Sequence, residues 1–237
     1  MSQSLKIAIL QNDHRSEGYW NDIREAFCDV IGTAAPDSQI NFFDPIELQV
    51  YPELSDNYDL IILSGGNAEH DGNVPWVLKM QAFIRTVAQN HPRQKLVGIC
   101  WGHQAIHKSL GGTVGYRKEG AEVQTHIKLT PEGSKFFQFA EARGALVVNV
   151  MHLEYVYEPG SNFIPLAEDH QSFISTNNSI LTFQAHPEIG AEFAERIIRK
   201  DFKRRLSQSD FEHALEELDC PLDNEKIWKR ILQWARN

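Results

Sequence analysis

Cys100 lies in the segment of this sequence that is best suited to nucleophilic chemistry. Segment 97–104 reads VGICWGHQ, so a short apolar run ends at Cys100, between Gly98 and Gly102. Glycines at this spacing allow a buried strand to turn sharply into a helix and to present the central side chain at the edge of a sheet, as in a nucleophile elbow. The N-terminus of the helix then stabilises a thiolate and offers backbone N–H groups to an oxyanion. We therefore predict that Cys100 is a nucleophile; the alternative is an inert cysteine in a packing turn.

The base that such a nucleophile requires is best supplied by His186. Segment 184–188 reads QAHPE and directly follows a short apolar run at 180–183. Glu188 is close enough along the chain to orient the imidazole and stabilise its charged form, as a carboxylate does in hydrolase triads. Because Cys100 and His186 are far apart in the sequence, the fold has to bring them together for this hypothesis to hold.

The elements that must position these residues follow from apolar periodicity. Strand-like runs at 6–10, 39–43, 59–64 and 95–100 alternate with helix-period segments at 20–31, 75–90 and 102–110. This order is typical of a doubly wound, flavodoxin-like α/β sheet. Short strand-like segments then follow at 125–130, 145–150, 163–167, 172–176 and 180–184, which predicts antiparallel additions and a mixed sheet. We predict one α/β domain over residues 1–190 and a C-terminal helical tail, 191–237, packed on the same domain.

Composition restricts the class of protein further. A chain of 237 residues with 42% hydrophobic residues can bury the core of one ordinary domain. The formal charge of −9 gives no general attraction to nucleic acid or to an anionic membrane, so we expect a small-molecule substrate or a protein partner. Three cysteines, with no leader-like or membrane-spanning apolar run, favour a cytoplasmic protein over a secreted disulfide scaffold.

Four blocks of the sequence, taken in order, resemble the class I glutamine amidotransferase family, the triad type with Cys, His and Glu. They are DLIILSGG at 59–66, GICWGHQ at 98–104, SLGG at 109–112 and QAHPE at 184–188. More narrowly, the chain resembles the stand-alone, GMP-synthase-like members that include γ-glutamyl peptidases. Those members share an acidic-Trp-Lys pattern in a helical tail, here EKIWK at 225–229.

The resemblance implies a catalytic role for each triad residue. Cys100 would attack the γ-carbonyl of glutamine or of a γ-glutamyl group and form a thioester. His186 would transfer protons, and Glu188 would orient His186. Hydrolysis of the thioester would release glutamate after ammonia or an amine has left.

The resemblance also implies an oxyanion hole and a substrate-binding site. The backbone N–H groups of Gly66 and Trp101 would form the oxyanion hole. Gln104 would hold the amino-acid end of the substrate, together with His152, which occupies the place of the family's Ser-His stretch.

Besides Met151, which precedes His152 where the family has a Ser-His stretch, two residues depart from the family pattern on the substrate side. Asn67 follows the Ser-Gly-Gly sequence where proline is common, and Gln124 replaces the glycine of a Glu-x-Gly segment. Neither change touches the triad, but together they leave the identity of the leaving group open.

Three functions are compatible with these residues. The first is stand-alone hydrolysis of a γ-glutamyl amide, in glutamine or in a γ-glutamyl peptide or conjugate. The second is a glutaminase subunit that delivers ammonia to a separate synthetase protein. The third is a non-catalytic binding or regulatory module, against which the intact triad argues. The length of 237 residues favours the first over the second because it leaves no room for a synthetase domain.

We predict neither a metal nor a cofactor. His103 and His107 are four residues apart on a predicted helix, a spacing that can bind metal, but no further ligand is evident. The Ser64-Gly65-Gly66 loop lacks both the Gly-x-Gly-x-x-Gly and the Walker patterns of nucleotide-binding proteins.

Overall fold

The computed structural model describes residues 4–16, 18–67 and 73–237. The strands are β1 (Lys6–Leu10), β2 (Gln39–Phe43), β3 (Leu60–Leu63), β4 (Lys95–Ile99), β5 (Thr113–Tyr116), β6 (Glu122–Lys128), β7 (Ala145–His152), β8 (Glu154–Glu158), β9 (Phe163–Pro165), β10 (Ser172–Ser175) and β11 (Ile180–Phe183). The α-helices are α1 (Trp20–Ala34), α2 (Pro75–Asn90), α3 (Trp101–Ser109), α4 (Pro131–Phe136), α5 (Ala191–Ile197), α6 (Gln208–Glu216) and α7 (Asn224–Ala235). A π-helical turn (Ile198–Phe202) follows α5, and short 3-10 turns lie at Leu54–Asp56, Gln138–Ala140 and Glu217–Asp219.

A seven-stranded sheet with the order β2-β1-β3-β4-β11-β10-β9 forms the centre of the molecule. The first five strands of that order are parallel, whereas β10 pairs antiparallel with both β11 and β9. The doubly wound mixed sheet with antiparallel additions is therefore confirmed. Two further antiparallel pairs, β5 with β8 and β6 with β7, lie outside this sheet.

Apolar side chains cover both faces of the sheet. In β1, Ile7 and Ile9 pack into one core cluster with α1 and α7, while Ala8 and Leu10 pack into another with α2 and α3. Alternate strand residues point to opposite faces, so a strand buried on both sides reads as a continuous apolar run. This is why β1, β3 and β4 were recognisable in the sequence.

The C-terminal helix α7 packs on α1 and shares its core cluster. The Nε1–H of Trp228 in α7 donates to the carbonyl oxygen of Pro187 at 3.0 Å, so α7 holds the backbone next to His186. Among the described residues, no helix is both long enough and apolar enough to cross a bilayer.

Candidate active site

The backbone at Cys100 is strained in the way that a nucleophile elbow requires. Cys100 connects β4 to α3 with φ of 46° and ψ of −100°. Residues other than glycine rarely adopt this backbone conformation. The turn is tight enough that a Cβ on Gly98 would lie 2.6 Å from the carbonyl oxygen of Gly102. The strand therefore meets the helix at a distance that only glycine permits, and Cys100 lies at the carboxyl edge of the sheet.

Sheet topology brings His186 to the same edge. Strand β11 pairs in parallel with β4, so the residues after each strand emerge side by side. The Cys100 N–H donates to the carbonyl oxygen of Phe183 at 2.7 Å, and the His186 N–H donates to that of Asn149 in β7, also at 2.7 Å. The imidazole of His186 lies within hydrogen-bonding reach of the Cys100 thiol.

Glu188 completes this arrangement. Its Oε1 lies 2.8 Å from Nδ1 of His186, which leaves the other ring nitrogen for the thiol. Burial by itself lowers the pKa of His186, but the charges of Cys100 and Glu188 outweigh it and raise that pKa well above 6.5. The contacts of His186 thus favour its imidazolium form, which can donate a proton.

The loop after β3 packs directly on this trio. A Cβ on Gly65 would lie 2.7 Å from Cε1 of His186 and 3.3 Å from Cβ of Cys100, so glycine lets the backbone approach both side chains. Gly66 follows and lines the cleft beside Cys100. Trp101 begins α3, with its ring buried against Trp76 at 5.1 Å between centroids. Gly66 and Trp101 thus border Cys100 from the β3 loop and from the helix N-terminus.

Gln104 lies behind Cys100 and reaches it through a second glutamine. Its Nε2 donates to the carbonyl oxygen of Glu154 at 2.7 Å and to Oε1 of Gln184 at 3.0 Å. Nε2 of Gln184 in turn lies 3.6 Å from Sγ of Cys100. Sequence reasoning missed Gln184, although it begins the QAHPE block and its side chain is buried next to the nucleophile.

His152 belongs to a buried network centred on Glu122. Its Nε2 lies 3.0 Å from Oε2 of Glu122, which also pairs with Arg117. Nε2 of Gln124 donates to Oε1 of Glu122 at 2.7 Å, so the glutamine that departs from the family pattern has a structural partner. Burial raises the pKa of Glu122, but the His152 and Arg117 contacts outweigh burial and hold it below its usual value. Gln104 and His152 therefore bond to protein groups, and neither lines the cleft at Cys100.

That cleft has two chemically different walls. The catalytic wall carries Gly65, Gly66, Asn67, Cys100, His186 and Glu188. The apolar residues of the lining, here called the apolar wall, are Tyr19, Ile23, Met151, Ile189, Phe193, Ile197 and Phe202. Two carboxylates, Asp13 and Asp201, complete the lining.

The histidine pair considered for metal binding lies in an aromatic environment. The Gly160 N–H donates to Nδ1 of His107 at 3.1 Å, so the proton of this ring lies on Nε2, 3.2 Å from Oγ1 of Thr182. Burial lowers the pKa of His103 well below 6.5 and that of His107 to about 3. Within the described ranges, no group of three or more His, Cys, Asp and Glu side chains is arranged to hold a metal ion.

Fold and site together define the class of protein. The family model for glutamine amidotransferase class-I matches residues 27–204, and the chain belongs to this family, as the four sequence blocks predicted. The glutamine amidotransferase-like protein chyE of Penicillium rubens is 37% identical over 233 residues, which cover 98% of this chain and 97% of that protein. Gamma-glutamyl peptidase 3 of Arabidopsis thaliana is 23% identical over 184 residues, 74% of this chain and 73% of the relative. The crystal structure of a glutamine amidotransferase from Thermotoga maritima superposes with a TM-score of 0.68 at 20% identity, covering 99% of this chain and 97% of the other.

Proposed function

We propose that this protein hydrolyses a γ-glutamyl amide bond through a thioester on Cys100, without a partner protein. The observation that carries the proposal is the meeting of a strained Cys100 with His186, itself paired with Glu188, at one edge of the sheet. Membership of the class I family and similarity to a γ-glutamyl peptidase support the same chemistry.

In the first half-reaction, the Cys100 thiolate attacks the γ-carbonyl carbon and forms the C–S bond. The carbonyl electrons move to oxygen, and the N–H groups of Gly66 and Trp101 stabilise the oxyanion. When the tetrahedral intermediate collapses, the C–N bond breaks and the His186 imidazolium gives its proton to the leaving nitrogen. The products are a free amine, or ammonia, and a γ-glutamyl thioester.

In the second half-reaction, neutral His186 takes a proton from water while the oxygen of that water attacks the thioester carbon. Collapse of this second intermediate breaks the C–S bond and releases glutamate. The thiolate and the imidazolium are thereby restored, so no external acid or base is consumed. Glu188 keeps the His186 ring oriented through both steps and stabilises its charged form.

The amino-acid end of the substrate belongs, in this proposal, on the side of Gln104 and His152. Neither lines the cleft itself: Gln104 reaches Cys100 through Gln184, and His152, at the end of β7, pairs with Glu122. We propose that these networks fix the polar surface that receives the α-ammonium and α-carboxylate groups.

The test is glutamate release by the purified chain from glutamine and from γ-glutamyl amides. We expect turnover by the wild type, loss of turnover in Cys100→Ala, and normal turnover in Cys28→Ala, which removes an exposed cysteine. Release from glutamine that requires an added synthetase would instead identify a glutaminase subunit. Equal inactivity of wild type and Cys100→Ala, with no labelling of Cys100 by a glutamine-like electrophile, would refute the catalytic proposal.

A further inference from the structure

Five of the seven residues of the apolar wall come from two separate parts of the chain. Tyr19 and Ile23 lie at the start of α1, while Phe193, Ile197 and Phe202 belong to α5 and to the π-helical turn after it. The rings of Tyr19 and Phe193 meet at 5.7 Å between centroids and join the two parts. These residues line the same cleft as Cys100 and His186.

Part of this wall is still open to solvent. Phe193 and Ile197 are only half-buried. Exposed apolar surface beside Cys100 favours the binding of a ligand group that removes it from water. A π-helical turn, such as Ile198–Phe202, is also rare in proteins and occurs frequently at functional sites.

Apart from His186, the charged side chains that line the cleft are carboxylates. The Tyr19 hydroxyl donates to Oδ2 of Asp201 at 2.9 Å, and burial together with this bond raises the pKa of Tyr19, so the phenol stays neutral. Asp13 contributes a second carboxylate. None of the described lining residues is a lysine or an arginine. Two cations lie near the wall, Lys200 against the Tyr19 ring and Arg196 against the Phe193 ring, but neither lines the cleft.

These properties decide which end of a substrate faces the apolar wall. A γ-glutamyl group carries an α-carboxylate and an α-ammonium, which an apolar surface cannot solvate. With the γ-carbonyl at Cys100, the part of the substrate left to meet this wall is the substituent on the amide nitrogen. Glutamine itself has no such substituent, and a γ-glutamyl peptide would bring its carboxylate towards Asp13 and Asp201.

We infer that the apolar wall selects γ-glutamyl amides whose nitrogen bears an apolar group without a carboxylate. This inference rests on the proposed hydrolysis and adds the substrate class to it. Tyr19, Ile23, Phe193, Ile197 and Phe202 would receive the substituent. Asp201 would disfavour acidic leaving groups.

The test compares kcat/KM for γ-glutamyl benzylamide, γ-glutamyl methylamide and γ-glutamylglycine. All three are amides of primary amines, and dissociation constants measured with Cys100→Ala separate binding from differences in leaving-group reactivity. We expect the benzylamide to exceed the methylamide by about tenfold or more, since even small differences in apolar contact give factors of this order. We expect γ-glutamylglycine to be the poorest of the three.

Variants test whether the substrate preference depends on contact with the apolar wall or on a general loss of structure. Ile197→Ala should lower the benzylamide-to-methylamide ratio, whereas Ile40→Ala, a half-buried isoleucine on β2 outside the cleft, should leave it unchanged. Asp201→Asn should raise the relative rate on γ-glutamylglycine. Dissociation constants for the benzylamide and the methylamide, measured with Cys100→Ala, report the same preference without turnover.

The outcomes distinguish this inference from the proposed function. Equal kcat/KM for benzylamide and methylamide, or highest activity on γ-glutamylglycine, would overturn the inference and leave thioester hydrolysis intact. Absence of turnover on every amide would refute the hydrolysis. Equal dissociation constants from Cys100→Ala would then also refute the preference for an apolar substituent.

Discussion

His107 and His186 are both buried, yet they favour opposite charge states. Both lie beside β11: Nε2 of His107 is 3.2 Å from the Thr182 hydroxyl oxygen, and His186 follows the strand end. Burial keeps His107 neutral, with a pKa of about 3. The same burial acts on His186, but Cys100 and Glu188 raise its pKa well above 6.5. The comparison shows that the charge of the partner, and not the depth of burial, decides whether a histidine here can act as an acid.

Replacement of His186 by alanine should give the largest effect. The variant loses both the proton donor for the leaving amine and the base for water, so we expect kcat/KM to fall by about 10⁴-fold or more. Glutamate release from a γ-glutamyl amide measures this loss. His213→Ala, which removes a mostly exposed histidine in α6, is the matched control and should retain full activity. Loss of less than tenfold in His186→Ala would mean that another group transfers the proton.

Glu188→Gln should give the next largest effect and tests the partner charge directly. Without the carboxylate the pKa of His186 falls, so the imidazolium is lost at a lower pH than in the wild type. We expect kcat/KM to decrease by about 10²-fold to 10³-fold and its alkaline limb to shift towards lower pH. A pH–rate profile measures both changes. A profile with an unmoved alkaline limb would show that Glu188 does not control the charge of His186.

His107→Asn should affect stability rather than chemistry. Asparagine can still accept the Gly160 N–H, but it loses Thr182 and the ring contacts with Phe163 and Phe173. We expect the free energy of unfolding at pH 7.5 to decrease by about 2 kcal/mol, from lost packing and one lost hydrogen bond. Urea denaturation measures this change. His213→Asn should change the same quantity by less than about 0.5 kcal/mol.

The smallest effect is the pH dependence of wild-type stability. A folded-state pKa below the unfolded value near 6.5 means that the unfolded chain binds more protons as the pH falls. From pH 6.5 to pH 5, His107 should therefore lower the free energy of unfolding by up to about 1.4 kcal/mol per pH unit. His103 acts in the same sense, because its pKa is lowered as well.

His186 acts in the opposite sense, but mostly outside this pH window. Its raised folded-state pKa adds stability at low pH, and this contribution is lost as the pH rises above 6.5 through the folded value. Urea denaturation at pH 6.5 and pH 5 measures the slope, which should be shallower in His107→Asn. An identical slope in both proteins would assign the effect to other groups.

Much of this molecule was predictable because its central strands are buried on both faces. Strand β4 and the Gly-x-Cys-x-Gly turn were predicted from the sequence, as was the parallel core around them. Strands β5 and β8 were missed because both are short and contain polar or exposed residues. Their sequences therefore show no clear alternation of apolar and polar residues. Helix α4 was missed as well, although Thr130 caps it and Pro131 begins it, because it is only six residues long.

The apolar wall could not be predicted, since it assembles from segments that are distant in sequence. Tyr19 and Phe193 each read as ordinary residues of an amphipathic helix, and only the packing of α1 against α5 makes them neighbours. Gln184 was overlooked for a related reason: its contact with Gln104 depends on the pairing of β11 with β4.

The hydrogen bond from Trp228 to the carbonyl oxygen of Pro187 has a consequence for the order of events during synthesis. Trp228 lies 41 positions after Pro187, in helix α7. The backbone beside His186 therefore obtains this support only after α7 has been made, later than Cys100 and its elbow. A nascent chain would thus carry the Cys100 thiol before Trp228 holds the backbone next to His186.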